Sequence, residues 1–568
     1  MKIRLLCFAL LLAAGACANP EMPPGGPADK EAPAILQVAP ASGTTLFDGR
    51  TINIEFNEWV RGESLTENVF VSPPTEFEVN WSGPEVEIEF TEELAANTTY
   101  AVTIGAEVSD YRGNKGDRST TIIFATGAVL DSGSIRGRVF DATSAGAFVY
   151  LYPLNGLDRD TLDPRHTQPR YLTQLGKTGD FEFQALAPGA YRILVVDDEF
   201  RDRLFEPGVD GWGAAADDIT LKTGEQRSGL PLRMRPAEDL RAPQLYEVRP
   251  LAENKFAAVF NEKPDPATIS PESFALSDST GTTAVAIATA HVDANNPMAV
   301  ILRSERALDV GRRWLLDAPA VRDSSGNLIA DTASSAIFSA AARPDSSAPQ
   351  LVGWPFTPDA KGVSRSGPFD LVFSEAMALP AIEGSNPAIR LINSLDSAAG
   401  NIGIELAQPS ANVIRITPAA ELQPGVLYHL NLDGARLQAR NGRSAADSLI
   451  QRSFITADPR DEGDAMGTLI NSADYDGAFI IQLRPVSGDS EKLNRSLTLD
   501  RVDGKGEWQF SGLLPAQYDI IVIQDKNGNG RYDFGRVFPF EPAEEFRIFP
   551  SILRVKPRWT TQDINLTF

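Results

Sequence analysis

Large apolar side chains alternate with polar ones along most of the chain, in short runs separated by Gly, Pro, Asn or Asp. Successive side chains of a β-strand point to opposite faces of its sheet, so such runs predict strands with one buried face. Runs with the helical period of 3.6 residues are scarce. The pattern therefore predicts an all-β protein with many short strands and turns.

One strand–turn–strand pattern occurs twice, once towards each end of the chain. Residues 506–535 read GEWQFSGLLPAQYDIIVIQDKNGNGRYDFG, and residues 179–208 read GDFEFQALAPGAYRILVVDDEFRDRLFEPG. The two stretches align without a gap and pair Tyr191 with Tyr518. Internal similarity at this separation is typical of an array of domains. The chain is thus predicted to contain one small β-module twice, each copy ending in an acidic loop.

A second pattern occurs three times between these modules and before them. Each copy opens with Ala-Pro, has a strand ending in Phe-Asn-Glu or Phe-Ser-Glu, and later has a Leu six residues before an aromatic residue. The glutamates are Glu58, Glu262 and Glu375, and the Leu–aromatic pairs are Leu94 and Tyr100, Leu308 and Trp314, and Leu422 and Tyr428. Segments of about 100 residues with a turn every 8 to 12 residues predict β-sandwiches. We expect the Leu–aromatic pairs to lie in their cores.

These three segments resemble the SbsA-type bacterial Ig-like domain, over residues 31–128, 240–344 and 346–458. The two modules, residues 132–236 and 462–568, resemble carboxypeptidase regulatory-like sandwiches of the transthyretin type. In that type a Gly-x-Val strand leads to a Gly-x-Phe-x-Phe hairpin and then to Pro-Gly-x-Tyr. The resemblances imply five tandem β-sandwiches, in the order Ig-like, regulatory-like, Ig-like, Ig-like, regulatory-like.

The first residues predict an export signal and a lipid anchor. Lys2 and Arg4 precede LLCFALLLAAGA, a run that is too short to span a bilayer but suits a secretory signal. The run ends in Ala-Gly-Ala-Cys17, which resembles a bacterial lipobox. The resemblance implies removal of residues 1–16 and acylation of Cys17, and several acyl chains hold a protein firmly at about 0.8 kcal/mol per buried methylene. The alternative is an ordinary Ala-x-Ala signal followed by a cysteine.

Residues 17–30 are rich in Pro and Gly, which predicts an extended flexible tether that reaches about 40 Å at most. The beginning, Cys-Ala-Asn-Pro and then Gly-Gly-Pro-x-Asp, resembles surface or periplasmic lipoproteins of the Bacteroidetes group. This implies an outer-membrane lipoprotein, with its orientation open. Cys7 and Cys17 are the only cysteines, so the folded domains have no disulfide framework.

The chain is strongly acidic, with a formal net charge of −24 at pH 7. Phosphate backbones are bound by clustered Lys and Arg, so nucleic acid is excluded as a partner. The charge suits a soluble, extended protein in a cation-rich setting, and a solvated acidic surface is the simpler interpretation.

The loop after Tyr518 has oxygen-bearing side chains at a spacing that suits calcium. Ca²⁺ takes six to eight oxygen ligands, and a tight turn directs several of them inward. The residues that match positions 1, 3, 5, 6, 7 and 9 of an EF-hand-type loop are Asp525, Asn527, Asn529, Gly530, Arg531 (by its carbonyl) and Asp533. Position 12 is Arg536 instead of a bidentate Glu, and Asn-Gly pairs make metal-free turns. The sequence predicts weak Ca²⁺ binding, with a metal-free strand connection as the alternative.

The corresponding loop of the first module retains Asp198, Asp202 and Glu206. Phe200 and Arg203 stand where the calcium motif has Asn and Gly. This loop is a weaker metal candidate, and an acidic turn is the alternative.

The sequence offers little for catalysis. His166, His291 and His429 are the only histidines, and no two of them have metal-ligand spacing. His429, in the strand LYHLNL, is predicted to be partly buried, and the chain has no nucleophile elbow, phosphate-binding Gly-rich loop or HExxH motif. We expect no enzymatic activity, although carboxylate pairs depend on geometry that a sequence does not reveal.

Three functions agree with these features. The first is a lipid-anchored envelope protein that acts as a stalk, scaffold or adhesion array, with envelope proteins or glycans as partners. The second is a glycan-binding surface lipoprotein of an uptake system, and the third, more remote, is a hydrolase with an unrecognised site. Carbohydrate sites present exposed aromatic platforms, for which the candidates are Trp212, Tyr532 and Trp559. Three other tryptophans are predicted to lie in cores, namely Trp81, Trp314 and Trp508.

Overall fold

The regular secondary structure of the described residues is almost entirely β-strand, which confirms the all-β prediction. The computed structural model describes residues 29–141, 146–155, 160–382, 387–395, 401–445, 449–472, 475–487, 499–503 and 506–568. Cys17 and most of the predicted tether lie outside these residues. No helix in the described part of the chain is both long and apolar enough to span a membrane.

The chain divides into two compact units. The first contains the residues up to Phe205, together with Gly211–Pro236 and Phe534–Ala543. The second contains Glu206–Asp210, Ala237–Asp533 and Glu544–Phe568.

The first sandwich has two antiparallel sheets. Its elements are β1 (Ile35–Ala39), β2 (Thr51–Phe56), helix α1 (Gly62–Asn68), β3 (Val69–Ser72), β4 (Phe77–Ser82), β5 (Glu85–Phe90), β6 (Thr99–Ile104) and β7 (Thr120–Ala125). The sheet orders are β1-β2-β5-β4 and β3-β6-β7. Alternate residues of β2 and β5 point into the core, and Tyr100 accepts a hydrogen bond from the Ala95 N–H (2.9 Å) through its buried ring hydroxyl.

The first module follows with a five-stranded and a three-stranded sheet. Its strands are β8 (Gly133–Phe140), β9 (Phe148–Pro153), β10 (Tyr171–Gln174), β11 (Asp180–Leu186), β12 (Gly189–Asp197), β13 (Gly211–Ala214), β14 (Ile219–Leu221) and β15 (Gln226–Arg233). The orders are β10-β9-β12-β13, with β14 also paired to β12, and β11-β8-β15. The last strand, β15, pairs in parallel with the first, β8.

Within the first unit, the first sandwich and the first module share a buried junction. Gln174 lies at its centre: its amide donates to Asn68 Oδ1 (2.8 Å) and accepts from the Glu107 N–H (3.1 Å). The rings of Phe70 and Phe148 pack edge to face beside it at 5.4 Å. An amide that is satisfied on both sides fixes the contact between two domains, since a buried polar group without a partner is costly.

Residues 534–543 also belong to the first unit. The Phe540 ring lies 3.6 Å from the guanidinium carbon of Arg192, which pairs with Asp218 through two nitrogens (3.0 and 3.1 Å). The Ala543 N–H donates to the Ala215 carbonyl (3.2 Å). This segment therefore packs on the first module, although it follows the acidic loop of the second module in sequence.

The second and third Ig-like segments repeat the plan of the first. The second has β16 (Leu245–Ala252), β17 (Lys255–Phe260), β18 (Ala275–Asp278), β19 (Ala284–Val285), β20 (Ile287–Asp293), β21 (Asn296–Ser304), β22 (Arg313–Asp317) and β23 (Ser335–Ser339), with 3₁₀ turns at Pro266–Thr268, Pro271–Ser273 and Asp331–Ala333. The third has β24 (Leu351–Gly353), β25 (Ala360–Val363), β26 (Phe369–Phe373), β27 (Ile389–Asn393), β28 (Ile404–Ser410), β29 (Val413–Pro418), β30 (Leu427–Leu432) and β31 (Ile450–Thr456). Their sheet orders are β16-β17-β21-β20 with β19-β18-β22-β23, and β24-β26-β29-β28 with β25-β31-β30-β27.

The predicted Leu–aromatic plugs lie where the sequence placed them. Leu308, Trp314, Leu422 and Tyr428 are buried, and Leu94 packs on the core of the first sandwich. Tyr428 accepts from the N–H of Gln423 (2.9 Å), as Tyr100 does from Ala95.

The second module repeats the topology of the first. After a 3₁₀ turn at Pro459–Asp461, its strands are β32 (Gly463–Ile470), β33 (Ala478–Ser487), β34 (Leu499–Asp503), β35 (Glu507–Leu513), β36 (Gln517–Asp525), β37 (Phe546–Arg554) and β38 (Thr560–Thr567). The orders are β34-β33-β36-β37 and β35-β32-β38, and the last strand again pairs in parallel with the first. Trp508 lies in the core, as predicted.

Candidate cation-binding sites

The acidic loop of the second module begins at the buried end of β36. Asp525 is buried, and its two carboxylate oxygens accept from the N–H groups of Asn529 (3.0 Å) and Gly530 (3.1 Å). Gly530 has φ of +76°, a conformation that L side chains rarely adopt, so glycine suits the bend at this position. Asp525 thus stabilises the tight turn of this loop through hydrogen bonds to its backbone.

The remaining oxygen-bearing residues face one another across this turn. Asn529 donates from Nδ2 to Asp533 Oδ2 (2.9 Å), and Asn527 makes a shorter contact with the same oxygen. The amide oxygen of Asn529 accepts from the Arg531 N–H (2.9 Å). The four predicted side-chain ligands are therefore brought into one loop.

Glu544 also reaches this loop, although it lies outside the EF-hand-type motif. Its two oxygens accept from the N–H groups of Lys526 (2.7 Å) and Asp533 (3.1 Å), and the side chain is buried. Burial raises the pKa of Glu544, and the charges of Asp533 and Asp525 raise it further. The loop thus has an acidic residue in addition to those that the motif supplies.

The loop of the first module is built differently. Asp198 is buried and accepts from the Tyr150 hydroxyl (2.7 Å) and the Arg203 N–H (2.8 Å). The Asp202 carboxylate accepts from the Leu204 N–H (2.9 Å), and the Glu206 N–H donates to Asp210 (2.7 Å). Asp198 and Asp202 therefore serve as acceptors that hold the turn.

Two further groups of carboxylates are present at corresponding places in the first two Ig-like segments. We name them cluster 1 (Asp29, Glu58, Asp110) and cluster 2 (Asp239, Glu262, Asp323). In each cluster, one carboxylate oxygen from every residue lies within 4.8 Å of the others. Within the described ranges, these are the two groups of three acidic, His or Cys side chains that approach so closely.

The same three sequence features position the acids of both clusters. The first aspartate stands three residues before the Ala-Pro that opens the segment, and the glutamate ends the Phe-Asn-Glu motif. The second aspartate opens an Asp-x-x-Gly-Asn turn, where Asp110 accepts from Asn114 N–H and Asp323 from Asn327 N–H, both at 2.8 Å. A single antiparallel β-bridge pairs the aspartate of each turn with the residue two positions after the glutamate.

The electrostatics of the clusters are those of crowded negative charges. Oε1 of Glu58 is sealed from solvent and has no hydrogen-bond partner. Burial raises the pKa of Glu58, with added increases from Asp110 and Asp29, and burial together with Asp239 and Asp323 raises that of Glu262. Burial also opposes ionisation of Asp110, but hydrogen bonds from Asn114, Arg112 and Gly113 outweigh it and lower its pKa.

The third Ig-like segment replaces this arrangement with an ion pair. An isolated backbone bridge joins Val60 to Asp110 in the first segment and Pro264 to Asp323 in the second. The corresponding bridge of the third segment joins Met377 to Ala439, so an alanine stands where the other two copies have the second aspartate. The glutamate of this copy, Glu375, is instead bonded by Lys255 Nζ at 2.5 and 2.7 Å. 

The first aspartate of the third copy is paired as well. Asp345 contacts the Arg303 guanidinium and accepts from Asn441 Nδ2 (3.1 Å). Positive groups from β17 and β21 of the second segment therefore hold the two acids that remain in the third copy.

The predicted aromatic platforms are only partly exposed. Trp212 is buried against Phe205, which contradicts its assignment as a surface platform, and Tyr532 is half-buried against Phe546. Trp559 is exposed. Trp314 and Trp508 are core residues as predicted, but Trp81 is 46% exposed, so its assignment to the core was wrong.

Trp81 is one of three exposed aromatic side chains on the first sandwich. Its ring lies against Gly62, where a Cβ would meet it at 1.9 Å, and it lines a groove of 410 Å³ with Asn53 and Asn80. The exposed rings of Trp59 and Tyr111 lie 6.4 Å apart. We name Trp59, Trp81 and Tyr111 the aromatic patch.

The three histidines have different surroundings. His166 is exposed with Nδ1 3.1 Å from Asp163, and His429 is half-buried, as predicted, with Nδ1 2.9 Å from Ser453 Oγ. His291 is buried, and neither ring nitrogen makes a hydrogen bond of ordinary geometry.

Comparisons with solved structures give weak overall likenesses. The N-terminal part of the bacterial S-layer protein SbsC is 12% identical, over 38% of this chain and 44% of that chain, with a TM-score of 0.17. Domains 1–6 of the surface layer protein SbsC are 8% identical over 92% of this chain and 67% of that chain (TM-score 0.17), and the MG0-NIE-MG1 part of Escherichia coli alpha-2-macroglobulin is 13% identical over 36% and 72% (TM-score 0.17). At these TM-scores the likenesses carry no functional conclusion.

Sequence comparison is more specific for the first sandwich. No curated protein matches the chain. Residues 29–126 match the family of the bacterial Ig-like domain, which identifies this part of the chain as Ig-like.

Proposed function

We propose that this protein is a non-catalytic, lipid-anchored component of the cell envelope that acts as a multi-domain stalk or scaffold. The observation that carries the proposal is the way neighbouring sandwiches are joined. Gln174 bonds across a buried junction in the first unit, and Lys255 pairs with Glu375 across a buried junction in the second. Domains that are locked in this way keep a fixed spacing, whereas domains on free linkers move independently. The partners are the membrane, through the lipid, and envelope proteins.

The anchor is tested by replacing the cysteine that would carry it. We expect the full-length protein to incorporate labelled palmitate and to fractionate with the outer membrane, because several acyl chains bind a bilayer strongly. Cys17→Ser should lose both properties, and Cys7→Ser, within the signal, should retain both. Release of the wild-type chain as a soluble, unlabelled protein would overturn the lipid anchor.

A second candidate function is glycan binding, and the aromatic patch favours it. Trp81 lines a groove with polar side chains, and exposed aromatic rings are the kind of surface on which sugar rings stack. For a scaffold, we expect the purified chain to give no saturable binding on an array of envelope and plant glycans. Saturable binding that is lost in Trp81→Ala and kept in Trp559→Ala would replace the scaffold with a capture function.

The loop at Asp525 is the proposed calcium site of the second module. Support comes from its oxygen-bearing side chains, which face one another, and from the buried carboxylate of Glu544. An ion bound only by the folded form stabilises that form, so the role we assign to calcium is stiffening. The three acidic residues Asp198, Asp202 and Glu206 remain a weaker candidate, since Oδ2 of Asp198 already accepts from the hydroxyl of Tyr150 and from the N–H of Arg203.

A further inference from the structure

We propose that Trp59 and Tyr111, on the first sandwich, dock on the phospholipid headgroup layer of the membrane that holds the lipid anchor. This inference rests on the proposed anchor at Cys17, and it adds a second contact between the protein and the bilayer. The two side chains are 64% and 66% exposed, and their ring centroids lie 6.4 Å apart. Trp and Tyr are enriched at membrane–water interfaces, because each combines an apolar ring with one polar atom that stays in contact with water and headgroups.

The backbone holds the two aromatic residues opposite each other. A single antiparallel bridge joins Val60 to Asp110, so the residues that flank this bridge, Trp59 and Tyr111, face each other across it. Val60 and Asp110 point inwards and are 1% and 2% exposed. Successive side chains of an extended segment point to opposite faces, so the two rings point to the outside. Their exposure therefore follows from the backbone geometry of the sandwich.

The predicted tether joins the sandwich beside these two residues. Asp29 is the first residue that the structure describes, and its carboxylate lies within 4.8 Å of the carboxylates of Glu58 and Asp110. Glu58 directly precedes Trp59, and Asp110 directly precedes Tyr111. The chain that leads to the anchor therefore ends next to the two exposed rings.

The tether is short enough to keep the rings near the bilayer. Residues 17–28, as a flexible chain, have an average span of roughly 20 Å. A short flexible linker gives the groups at its ends an effective concentration in the millimolar range. Two aromatic rings with only a weak affinity of their own for a bilayer therefore dock once the lipid is inserted.

The other two Ig-like segments have the same bridge but no aromatic residues beside it. The residues that correspond to Trp59 and Tyr111 are Lys263 and Ser324 in the second segment, and Ala376 and Arg440 in the third. The bridge forms in all three copies, so the fold does not require aromatic rings at these positions. The rings occur in the copy that directly follows the predicted tether, which is the position that contact with the membrane requires.

The charges indicate which lipid the rings contact. Basic and acidic side chains are both exposed near the rings: Arg61 pairs with Glu63 (3.5 Å), and Arg112 directly follows Tyr111. A strongly anionic surface would repel a chain with a formal net charge of −24, whereas a zwitterionic headgroup carries both signs of charge. We therefore assign a zwitterionic phospholipid as the partner, and we expect the contact to change little with salt.

The test uses the full-length, acylated chain in vesicles of phosphatidylethanolamine and phosphatidylcholine. Part of the lipid carries bromine on the acyl chain close to the headgroup, and bromine quenches tryptophan emission only at short range. We expect the emission to fall, relative to vesicles without bromine, by up to the share of one tryptophan in seven. Trp59→Phe, which retains an apolar ring, should abolish this quenching, and Tyr111→Ser should weaken it. The matched control is Trp559→Phe in the second module, since Trp559 is also 66% exposed, and this variant should retain the quenching.

Flotation of the same vesicles separates the docking of the rings from the anchor. The wild-type chain should float with the vesicles through its acyl chains, and failure to float would overturn the anchor together with this inference. Flotation without quenching, or quenching that persists in Trp59→Phe, would overturn the docking and leave the anchor in place. Protection of Trp59 from aqueous iodide without quenching by the lipid would mean that a protein surface covers the rings, which would also overturn the docking.

Discussion

Replacing Lys255 with methionine should lower the free energy of unfolding of the second unit by about 3–5 kcal/mol. Lys255 and Glu375 are 6% and 7% exposed, and Nζ lies 2.5 and 2.7 Å from the two carboxylate oxygens. The substitution leaves the glutamate in a place that water hardly reaches and without its counter-charge. Removal of one partner is therefore far more costly than the net contribution of the intact pair.

The matched control is the double variant Lys255→Met with Glu375→Met. It should unfold at nearly the wild-type denaturant concentration, because two apolar side chains leave no buried charge. Urea unfolding should be followed at Trp314, whose buried ring reports on the second Ig-like segment, since a chain of several domains does not unfold in one step. A loss below about 1 kcal/mol in the single variant would mean that solvent reaches Glu375.

The repeated core plugs were predictable because they depend on local pattern alone. A Leu six residues before an aromatic recurs in three segments, and alternation assigns both residues to the inner face. Trp81 shows the limit of this reasoning. It stands in the same alternating row as Phe77 and Val79, but it lies near the end of β4, where its ring packs on Gly62 and remains half exposed. Alternation predicts which face of the sheet a side chain points to, but it does not predict where along the strand the core ends.

The polar sites were predictable only where the ligands are close in sequence. Asp525 to Asp533 form one loop, so their spacing alone indicated a site. Glu544 joins this loop from beyond the segment 534–543, and the motif gave no sign of it. The clusters have a sequence signal, an aspartate three residues before the Ala-Pro that opens each segment, but Phe-Asn-Glu by itself predicts only the end of a strand. The sequence did not indicate that Lys255 pairs with Glu375, because the two residues belong to different Ig-like segments.

Acidification should destabilise the second unit through His291, by about 3 kcal/mol between pH 6.5 and pH 4. Burial lowers the pKa of His291 from 6.5 to about 4, and the charges of Lys255 and Arg303 lower it as well. A contact with the backbone of Ser374 raises the pKa by a smaller amount. The unfolded chain binds the proton near pH 6.5 and the folded chain only near pH 4. The stabilising contribution is therefore complete above pH 6.5, decreases as the pH falls, and is lost below about pH 4.

His291→Phe should remove this dependence, since phenylalanine has a similar volume and no proton to bind. The measurement is urea unfolding of both proteins, followed at Trp314, at a series of pH values. The carboxylates Glu58, Glu262 and Glu544 titrate in both proteins with raised pKa values, so the difference between the two curves isolates His291. Parallel curves from pH 7 to pH 4 would mean that the imidazole is protonated as readily in the folded chain as in the unfolded one. The junction around Lys255 and Glu375 would then be open to water, and the large effect expected of Lys255→Met would fail with it.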